Sequence, residues 1–451
     1  MQKQATVDIE KNRDKKLLKR KESKILLNQI LLALLILTSI IGIYHGNLNL
    51  ALSSKVGTFQ TLGALFGTLL QLTLLVTIIL SSRWRYLESK IGLDHMLNYH
   101  RIAGELSILF LLLHITSEVI GSKLDLSWQD TLNYLVFKTP YMAMAVVASL
   151  LLGTIVLTSI KKVRKKLSYE TWYYIHILIY ISLILSFYHE IYIGLDFSID
   201  KVAKNFWIGL NILVLTLSIL SRYKDSIISI FRPSKITSIT KLNNETVEIE
   251  IGKKVNKNNS GKFMILRFID KNLWHEVHPF SISKIKDDKI TFTVKELGDG
   301  TGIIQKIKKG TRVITEGPYG RIDRDLLGGK KLLLVAGGVG IAPIRSLLAE
   351  LNEINQPVVI YRARSTEKAP HNEEIRTLTE NLKGDYIEIF GKSNQVNQSL
   401  LTKEGLIKLV PDIKDREVVI CGPEYLINSV YLSSIKNNTP IKSIHFERTW
   451  W

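Results

Sequence analysis

The chain has one cysteine, Cys421, among 451 residues. A lone thiol excludes a disulfide framework and a cysteine-based metal site, and it fits a reduced cytosolic setting for the part of the chain that carries it. Acidic residues are short too, with 41 Asp and Glu against 60 Lys and Arg, a formal net charge of +19. A nucleic-acid binder could carry that excess, but no Arg-rich, aromatic-interleaved surface accompanies it. Membrane topology and attraction to anionic lipid explain it better. The first apolar run lacks a small-residue cleavage site behind it, and residues 1–24 ahead of it are too long and too charged to lead a signal peptide.

What is present is distributed unevenly. Up to about Tyr223 the chain is a series of long apolar runs, and from Lys224 it alternates β-like stretches, Gly-rich turns and charged helices. The shift marks the main domain boundary. It leaves a basic cytoplasmic segment at 1–24, a transmembrane domain at 25–223, a β-rich domain at 224–327 and an α/β domain at 328–451. Six segments, 25–45, 59–81, 99–120, 139–160, 171–193 and 203–221, each offer about the twenty apolar residues that a spanning helix needs. Lys and Arg concentrate at 11–24, 83–101, 161–166 and 222–235, whereas the opposite loops hold only Lys55, Lys123, Lys138 and Lys201. Both the N-terminus and the C-terminal half are therefore expected in the cytoplasm.

Two spans carry paired histidines. "NYHRIAGELSILFLLLHITSE" holds His100 and His114, and "YETWYYIHILIYISLILSFYHE" holds His176 and His189. A rise of about 1.5 Å per residue separates the pairs by roughly 21 Å and roughly 20 Å. Both spans run outward, so His100 is expected level with His176 near the cytoplasmic face, and His114 level with His189 near the outer face. Ionisable groups in hydrocarbon are costly, and four at matched depths point to ligation rather than ordinary hydrogen bonding. Two layers of facing imidazoles are what two stacked bis-histidine haems require, since haem iron takes axial nitrogens from both sides of its ring. One step does not close. Fourteen residues return to within roughly 40° of the same helix face, but thirteen miss by roughly 140°. The fifth helix is then irregular, or its two haems are approached from different sides. His45 and His95 have no such partners and are expected to be interfacial or structural, His95 in a cytoplasmic loop.

Between about Ser234 and Leu326, short strands alternate with turns in the pattern of a small antiparallel barrel. From Lys330 the pattern becomes βα: "KKLLLVAGGVGIAPIRSLLAEL", "PVVIYRARS" and "REVVICGPEYLINSVYLSSIK". In the first unit an apolar strand runs into Gly337, Gly338 and Gly340 at a helix start, where backbone N–H groups can hold a pyrophosphate. The spacing departs from the usual dinucleotide fingerprint, so its neighbours decide the reading.

Those neighbours are "HPFSIS" at 278–283, "GDGT" at 298–301, "GPYG" at 317–320, "GGVGIAP" at 337–343 and "CGP" at 421–423. Their order and spacing resemble the ferredoxin-NADP reductase type of flavoprotein. With the paired histidines in front, the chain from about Ile25 to Trp451 resembles the ferric reductase and NADPH oxidase superfamily, particularly its prokaryotic NADPH oxidase-like members. The basic N-terminal extension is no defining part of that pattern, and no calcium-binding loop is seen. The resemblance implies a six-helix transmembrane bundle, an FAD-binding antiparallel β-barrel and an α/β nucleotide-binding domain.

It also implies roles. His278, Pro279, Phe280 and Ser281 would surround the flavin, the Ser281 hydroxyl near N5, and Gly298, Asp299, Gly300 and Thr301 would contact the FAD pyrophosphate. Gly337, Gly338, Gly340 and Pro343 would cradle the nicotinamide coenzyme, and Cys421, Gly422 and Pro423 would line the nicotinamide. A terminal aromatic covers the flavin in this family, and Trp450 or Trp451 would fill that place, interfacial anchoring being the other reading of two adjacent tryptophans. Arg362, Arg364 and Ser365 follow the second coenzyme-domain strand, where an Arg fork holds a 2′-phosphate, and the absence of an acidic residue there favours NADPH, with Arg364 and Ser365 as its contacts.

Electrons would pass from NADPH to FAD, to an inner haem at His100 and His176, to an outer haem at His114 and His189, and to a small-molecule acceptor outside. Dioxygen, giving superoxide, is expected ahead of a ferric chelate, because the outer loops hold no metal-ligand cluster. Membrane lipid is the expected surroundings, and no obligatory protein partner is evident. A haem-free, membrane-anchored flavin reductase and a transporter with a regulatory domain are the competing classes.

Overall fold

In the computed structural model, residues 52–194, 197, 201–391 and 401–446 are described. The expected span at 25–45, His45, Trp450 and Trp451 lie outside them. The described chain divides into two compact units, one built from residues up to 84 with 95–222, the other from 85–94 with 223–446.

The first unit is helical. Its helices are α1 (Lys55–Ser81), α3 (Leu93–Asp125), α4 (Met142–Ser159), α5 (Tyr169–Ile177), α6 (Ile179–Ile193) and most of α7 (Lys201–Phe231), while α2 (Arg85–Ile91) belongs to the other unit. Among the described residues, five helices are long and apolar enough to cross a membrane: Lys55–Ser81, His95–Asp125, Met142–Ser159, Glu170–Ile193 and Lys201–Phe231. Helix α1 starts where the Ser54 hydroxyl accepts from Gly57 N at 3.0 Å, satisfying one of the orphan donors of the first turn. It is the most enclosed of the five, 56% of its apolar window being buried against 17–22% for the others. Leu70, Leu74 and Leu75 of α1 meet Leu111, Leu152, Leu183 and Val214 from α3, α4, α6 and α7, so each span contributes to one core.

Lipid is as apolar as leucine, so polar bonds supplement close packing between such helices. Gln71 Nε2 donates to Asn211 Oδ1 at 2.8 Å, Ser186 Oγ donates to Gln71 Oε1 at 3.1 Å, and Ser182 Oγ donates to the Ala148 carbonyl at 2.8 Å.

Two sequence expectations change here. His95 lies inside the third-span helix rather than in a loop, and α7 continues to Phe231, ten residues beyond the expected end at 221. The reason is that helix geometry does not stop where hydropathy falls: no proline or glycine interrupts 222–231. The fifth span is irregular, the first of the two alternatives its histidine spacing left open. It breaks at Leu178, whose N–H bonds three residues back to Ile175 while Ile181 N bonds back to Leu178. Such tightened bonding advances about 120° per residue instead of about 100°, which reduces the mismatch between His176 and His189.

In the second unit, β1 (Ser234–Asn243), β2 (Thr246–Gly252), β3 (Phe263–Phe268), β4 (His278–Lys286), β5 (Lys289–Lys295) and β6 (Arg312–Tyr319) form an antiparallel sheet closed in the order β1-β2-β5-β4-β3-β6. Alternating side chains such as Val247, Ile249 and Ile251 fill its interior. A short helix, α8 (Asp299–Ile304), follows β5. A parallel five-stranded sheet comes next, from β7 (Leu332–Gly337), β8 (Val358–Ala363), β9 (Asp385–Phe390), β10 (Glu417–Cys421) and β11 (Ile444–Phe446), in the order β11-β10-β7-β8-β9. Strands β7 and β8 are buried along their whole length, as expected of parallel strands covered on both faces. Helices α9 (Ile341–Leu348), α10 (Asn372–Asn381) and α11 (Glu424–Lys436) pack on them.

Candidate functional site

The four spaced histidines come together as two pairs. The rings of His100 on α3 and His176 on α5 lie 5.9 Å apart between centroids and tilt by 59°. That spacing resembles the one left by a metal bonded at about 2 Å to a nitrogen of each ring. His189 on α6 lies within interaction range of His114 on α3. Helix α1 orients the α3 rings: His100 Nδ1 lies 2.9 Å from the Thr77 carbonyl, and His114 Nδ1 lies 2.7 Å from the Gly63 carbonyl. A carbonyl only accepts, so both Nδ1 atoms carry the proton and both Nε2 atoms are left as bases, the arrangement a ligating imidazole uses. The His114 ring rests on Gly67, where a Cβ would stand 3.2 Å from its Nδ1. Trp172 stacks on His176 at 4.9 Å, and its Nε1 donates to Ser159 Oγ at 3.2 Å. His189 Nδ1 is buried beside the Tyr141 backbone. These observations fit two metal-centred rings held between α3 and the α5–α6 span.

The flavin motifs also converge. His278, Pro279, Phe280 and Ser281 form the start of β4, and Ser281 pairs with Phe263 of β3. Phe263 pairs in turn with Tyr319 of "GPYG", ring centroids 6.0 Å apart. Beyond that strand, Gly320 N donates to Glu88 Oε1 at 2.9 Å and the Gly317 carbonyl accepts from Arg85 at 2.8 Å, so α2 holds the motif. His278 stacks on Phe280 with an interplanar angle of 8°, and burial pushes its pKa down to about 4. Its Nε2 is 3.1 Å from Glu276 Oε2 but not aligned to donate.

"GDGT", expected as a turn, forms the N-terminal end of α8. Thr301 Oγ1 accepts there from Leu297 N and Gly298 N at 2.8 and 3.0 Å. A Cβ on Gly300 would stand 1.9 Å from Glu276 Oε2 and 2.9 Å from His278 Cε1, so glycine lets the two flavin motifs approach closely.

Gly337 ends β7, and Gly338–Gly340 make one tight turn before α9. A Cβ on Gly340 would stand 2.3 Å from the Cys421 carbonyl, and one on Gly337 would stand 2.9 Å from Pro423 Cδ. The glycine turn and the Cys421–Gly422–Pro423 segment therefore pack backbone against backbone. Pro343 is buried within α9.

The expected 2′-phosphate residues separate. Arg362 is buried, and its guanidinium donates to the Ala363 and Ile389 carbonyls, so it belongs to the sheet. Arg364 is exposed and lines a cavity of about 1330 Å³ with Lys241, Lys295, Gly298, Asp299 and Lys306. Ser365 hydrogen-bonds Glu367, whose pKa is lowered chiefly by that bond. An acidic side chain does sit at this loop, contrary to the sequence expectation, because the turn at Thr366–Lys368 folds it back onto Ser365.

Two residues went unnoticed in the sequence. Glu118 lies one turn beyond His114, and its carboxyl occupies the space beside Gly63, where a Cβ would meet it at 2.1 Å. A carboxylate within a span was the available signal. Arg345, the only charge in "IAPIRSLL", is 6% exposed at its side chain.

Comparisons with known proteins agree with this division. Three family profiles match: "Ferric reductase like transmembrane component" at residues 66–187, "FAD-binding domain" at 231–323 and "Oxidoreductase NAD-binding domain" at 334–431. A dihydroorotate dehydrogenase B (NAD(+)) electron transfer subunit from Caldanaerobacter subterraneus is 25% identical over 211 residues, 46% of this chain and 77% of that protein. Ferric reduction oxidase 2 of Arabidopsis thaliana is 25% identical over 208 residues, 44% of this chain and 27% of that one. A ferredoxin NADP+ reductase structure from Neisseria gonorrhoeae shares 16% identity, covering 48% of this chain and 97% of its own, with a TM-score of 0.39.

Fold, motifs and profiles together define a membrane flavin-dependent oxidoreductase. More particularly, the chain has the ferric reductase/NADPH oxidase-like fusion architecture, a ferric reductase-like transmembrane component joined to FAD- and NAD-binding domains, and it is an NAD(P)H-dependent oxidoreductase.

Proposed function

We propose that this chain carries electrons from cytosolic NADPH across a cell membrane to an acceptor outside, through FAD and two b-type haems. When bound, the flavin takes up a hydride and releases electrons singly to the haems, which pass them outward. The observation that carries the haem reading is the matched pair of Nδ1 contacts, His100 to Thr77 and His114 to Gly63, which frees each Nε2 for iron. His176 and His189 would be the partner ligands. In sequence the apolar run at 25–45 is long enough for a sixth span, and the Lys and Arg distribution supports a cytoplasmic N-terminus and cytoplasmic flavin and coenzyme domains. Outward electron flow then runs down an inside-negative potential, favoured by about 2.3 kcal/mol per charge per 100 mV.

In the cytosolic half, Ser281 would hydrogen-bond near flavin N5 while His278, Pro279 and Phe280 shape the flavin's place. The residues from Gly298 to Thr301 would hold its pyrophosphate. Gly337, Gly338, Gly340 and Pro343 would admit the coenzyme, with Cys421, Gly422 and Pro423 beside the nicotinamide and Arg364 and Ser365 toward the 2′-phosphate. Trp450 or Trp451 would cover the flavin.

Dioxygen, reduced to superoxide, is the proposed acceptor. Ferric iron is the second reading, supported by the ferric reductase description of the matched transmembrane profile and by the Arabidopsis relative. Reduced b-type haem bands in the optical spectrum of purified protein test the conduit; their absence supports a haem-free anchor. Superoxide trapping with dioxygen as sole acceptor, beside ferric-chelate reduction under nitrogen, decides between the acceptors.

A further inference from the structure

A polar network centred on the buried Arg345 ties the barrel to the coenzyme domain, and the described roles leave it unused. Arg345 lies on α9, five residues after Gly340. Arg345 Nη1 donates to Glu248 Oε2 on β2 at 2.5 Å and to Ser283 Oγ on β4 at 3.1 Å, while Nη2 lies 2.7 Å from Glu374 Oε2 on α10. Glu374 Oε1 reaches Lys284 Nζ at 3.3 Å. Beside them His371, 4% exposed and held at a φ of +64°, brings Nε2 to 2.9 Å from Thr293 Oγ1, and that hydroxyl donates to Ser283 Oγ at 2.9 Å. One residue along α9, Ser346 Oγ accepts from Gly261 N of the barrel at 2.8 Å.

A guanidinium stays charged, and burying it is costly unless carboxylates and further acceptors surround it. Here those acceptors come from both domains. Glu248 and Ser283 belong to the barrel, Glu374 to the coenzyme domain, and Ser283 closes the "HPFSIS" motif on the strand that carries Ser281. A planar fork bonded to all three fixes the direction as well as the distance of α9 from β4. The helix that begins at the glycine turn is thus registered on the flavin strand.

We propose that Arg345 is a positioning residue for hydride transfer: it fixes the nicotinamide-binding turn against the flavin strand, acting through Glu248, Ser283 and Glu374. The inference rests on the reading that NAD(P)H reduces a flavin bound at "HPFSIS". A misplacement of about 1 Å between reacting groups can slow a reaction by about a hundredfold, so small losses of register are readable as rate.

The test uses full-length protein loaded with FAD and followed by anaerobic stopped-flow bleaching of the flavin with NADPH, beside Arg345→Lys and Glu248→Gln. Arg345→Lys keeps the charge but not the fork. Both variants are expected to bleach at least about tenfold more slowly per bound flavin, with FAD content and half-saturating NADPH changed less than about twofold, and with a larger kinetic isotope effect from coenzyme deuterated at C4. Wild-type rates per bound flavin in both variants overturn the proposal, as does a loss that only tracks lost FAD, which would mark a structural role. If the wild-type flavin is not reduced by NADPH or NADH, the underlying reading falls and this inference with it.

Discussion

The Nδ1 of His114 bonds to the carbonyl of Gly63 across 2.7 Å, so one turn of α1 fixes both the tautomer and the direction of a ring on α3. The same device joins His100 to Thr77, fourteen residues further along α1. One rigid helix therefore sets two imidazoles at two depths.

If His114 and His189 hold an outer haem, His114→Leu removes it and leaves the flavin domain folded, since the two units have separate cores. Haem per flavin should fall toward half. NADPH oxidation with a soluble dye that accepts from the flavin should survive, while reduction of an acceptor outside should collapse, the inner haem lying roughly 20 Å deeper. Two retained haems with full external activity would remove His114 from the ligand set.

Gly67 tests the cradle rather than the ligand. An added Cβ would stand 3.2 and 3.3 Å from His114 Nδ1 and Cε1, whereas one on Gly104 or Gly153 meets nothing within 4 Å. Gly67→Ala should force the ring to shift by a few tenths of an ångström, and Gly67→Val, with two further methyls, should displace it. Redox titration is expected to show a shifted outer-haem midpoint for alanine and loss of that haem for valine, with Gly153→Ala unchanged.

Arg364 bears on coenzyme choice. Charge-assisted hydrogen bonds contribute about 1.5–3 kcal/mol, roughly ten- to a hundredfold in affinity. Arg364→Ala should thus raise KM for NADPH at least tenfold while changing that for NADH little, because only NADPH has a 2′-phosphate to lose. Equal effects on both coenzymes would point instead to the cavity Arg364 shares with Gly298 and Asp299, and so to the flavin's own nucleotide.

The legible parts of this molecule were those that local chemistry dictates. Apolar runs fix spans, and a strand running into glycines fixes a βα turn, so the turn from Gly337 to Gly340 could be read directly. The histidine spacing left two alternatives, an irregular fifth span or haems approached from different sides, and the break at Leu178 meets the first. What could not be read depends on tertiary placement. The fate of Arg362 is decided by the carbonyls of Ala363 on its own strand and Ile389 on the next, that of Ser365 by a turn bringing Glu367 back, and that of Arg345 by partners up to 97 residues away. The end of α7 was missed for the opposite reason, because a helix can outlast the hydropathy that announced it.

The last strand gives a pH test. Glu417 on β10 is 4% exposed; its Oε2 lies 2.6 Å from His445 Nε2 on β11 and its Oε1 3.0 Å from Lys330 Nζ. Burial alone would raise its pKa, but the His445 and Lys330 contacts outweigh burial and hold it at about 2. A carboxyl whose folded pKa is depressed contributes its full stability above the unfolded value of about 4.3 and loses it as pH falls toward the folded one. At about 1.4 kcal/mol per pKa unit, the pair contributes on the order of 3 kcal/mol at pH 7, falling away between about pH 4.5 and pH 2. Glu417→Gln should lower the unfolding temperature of the coenzyme domain by several degrees at pH 7 and flatten its acid limb, as read by scanning fluorimetry at pH 7, 5 and 3.5. A variant that unfolds like the parent at all three would mean that β11 is held by its backbone pairing to β10 and not by this carboxylate.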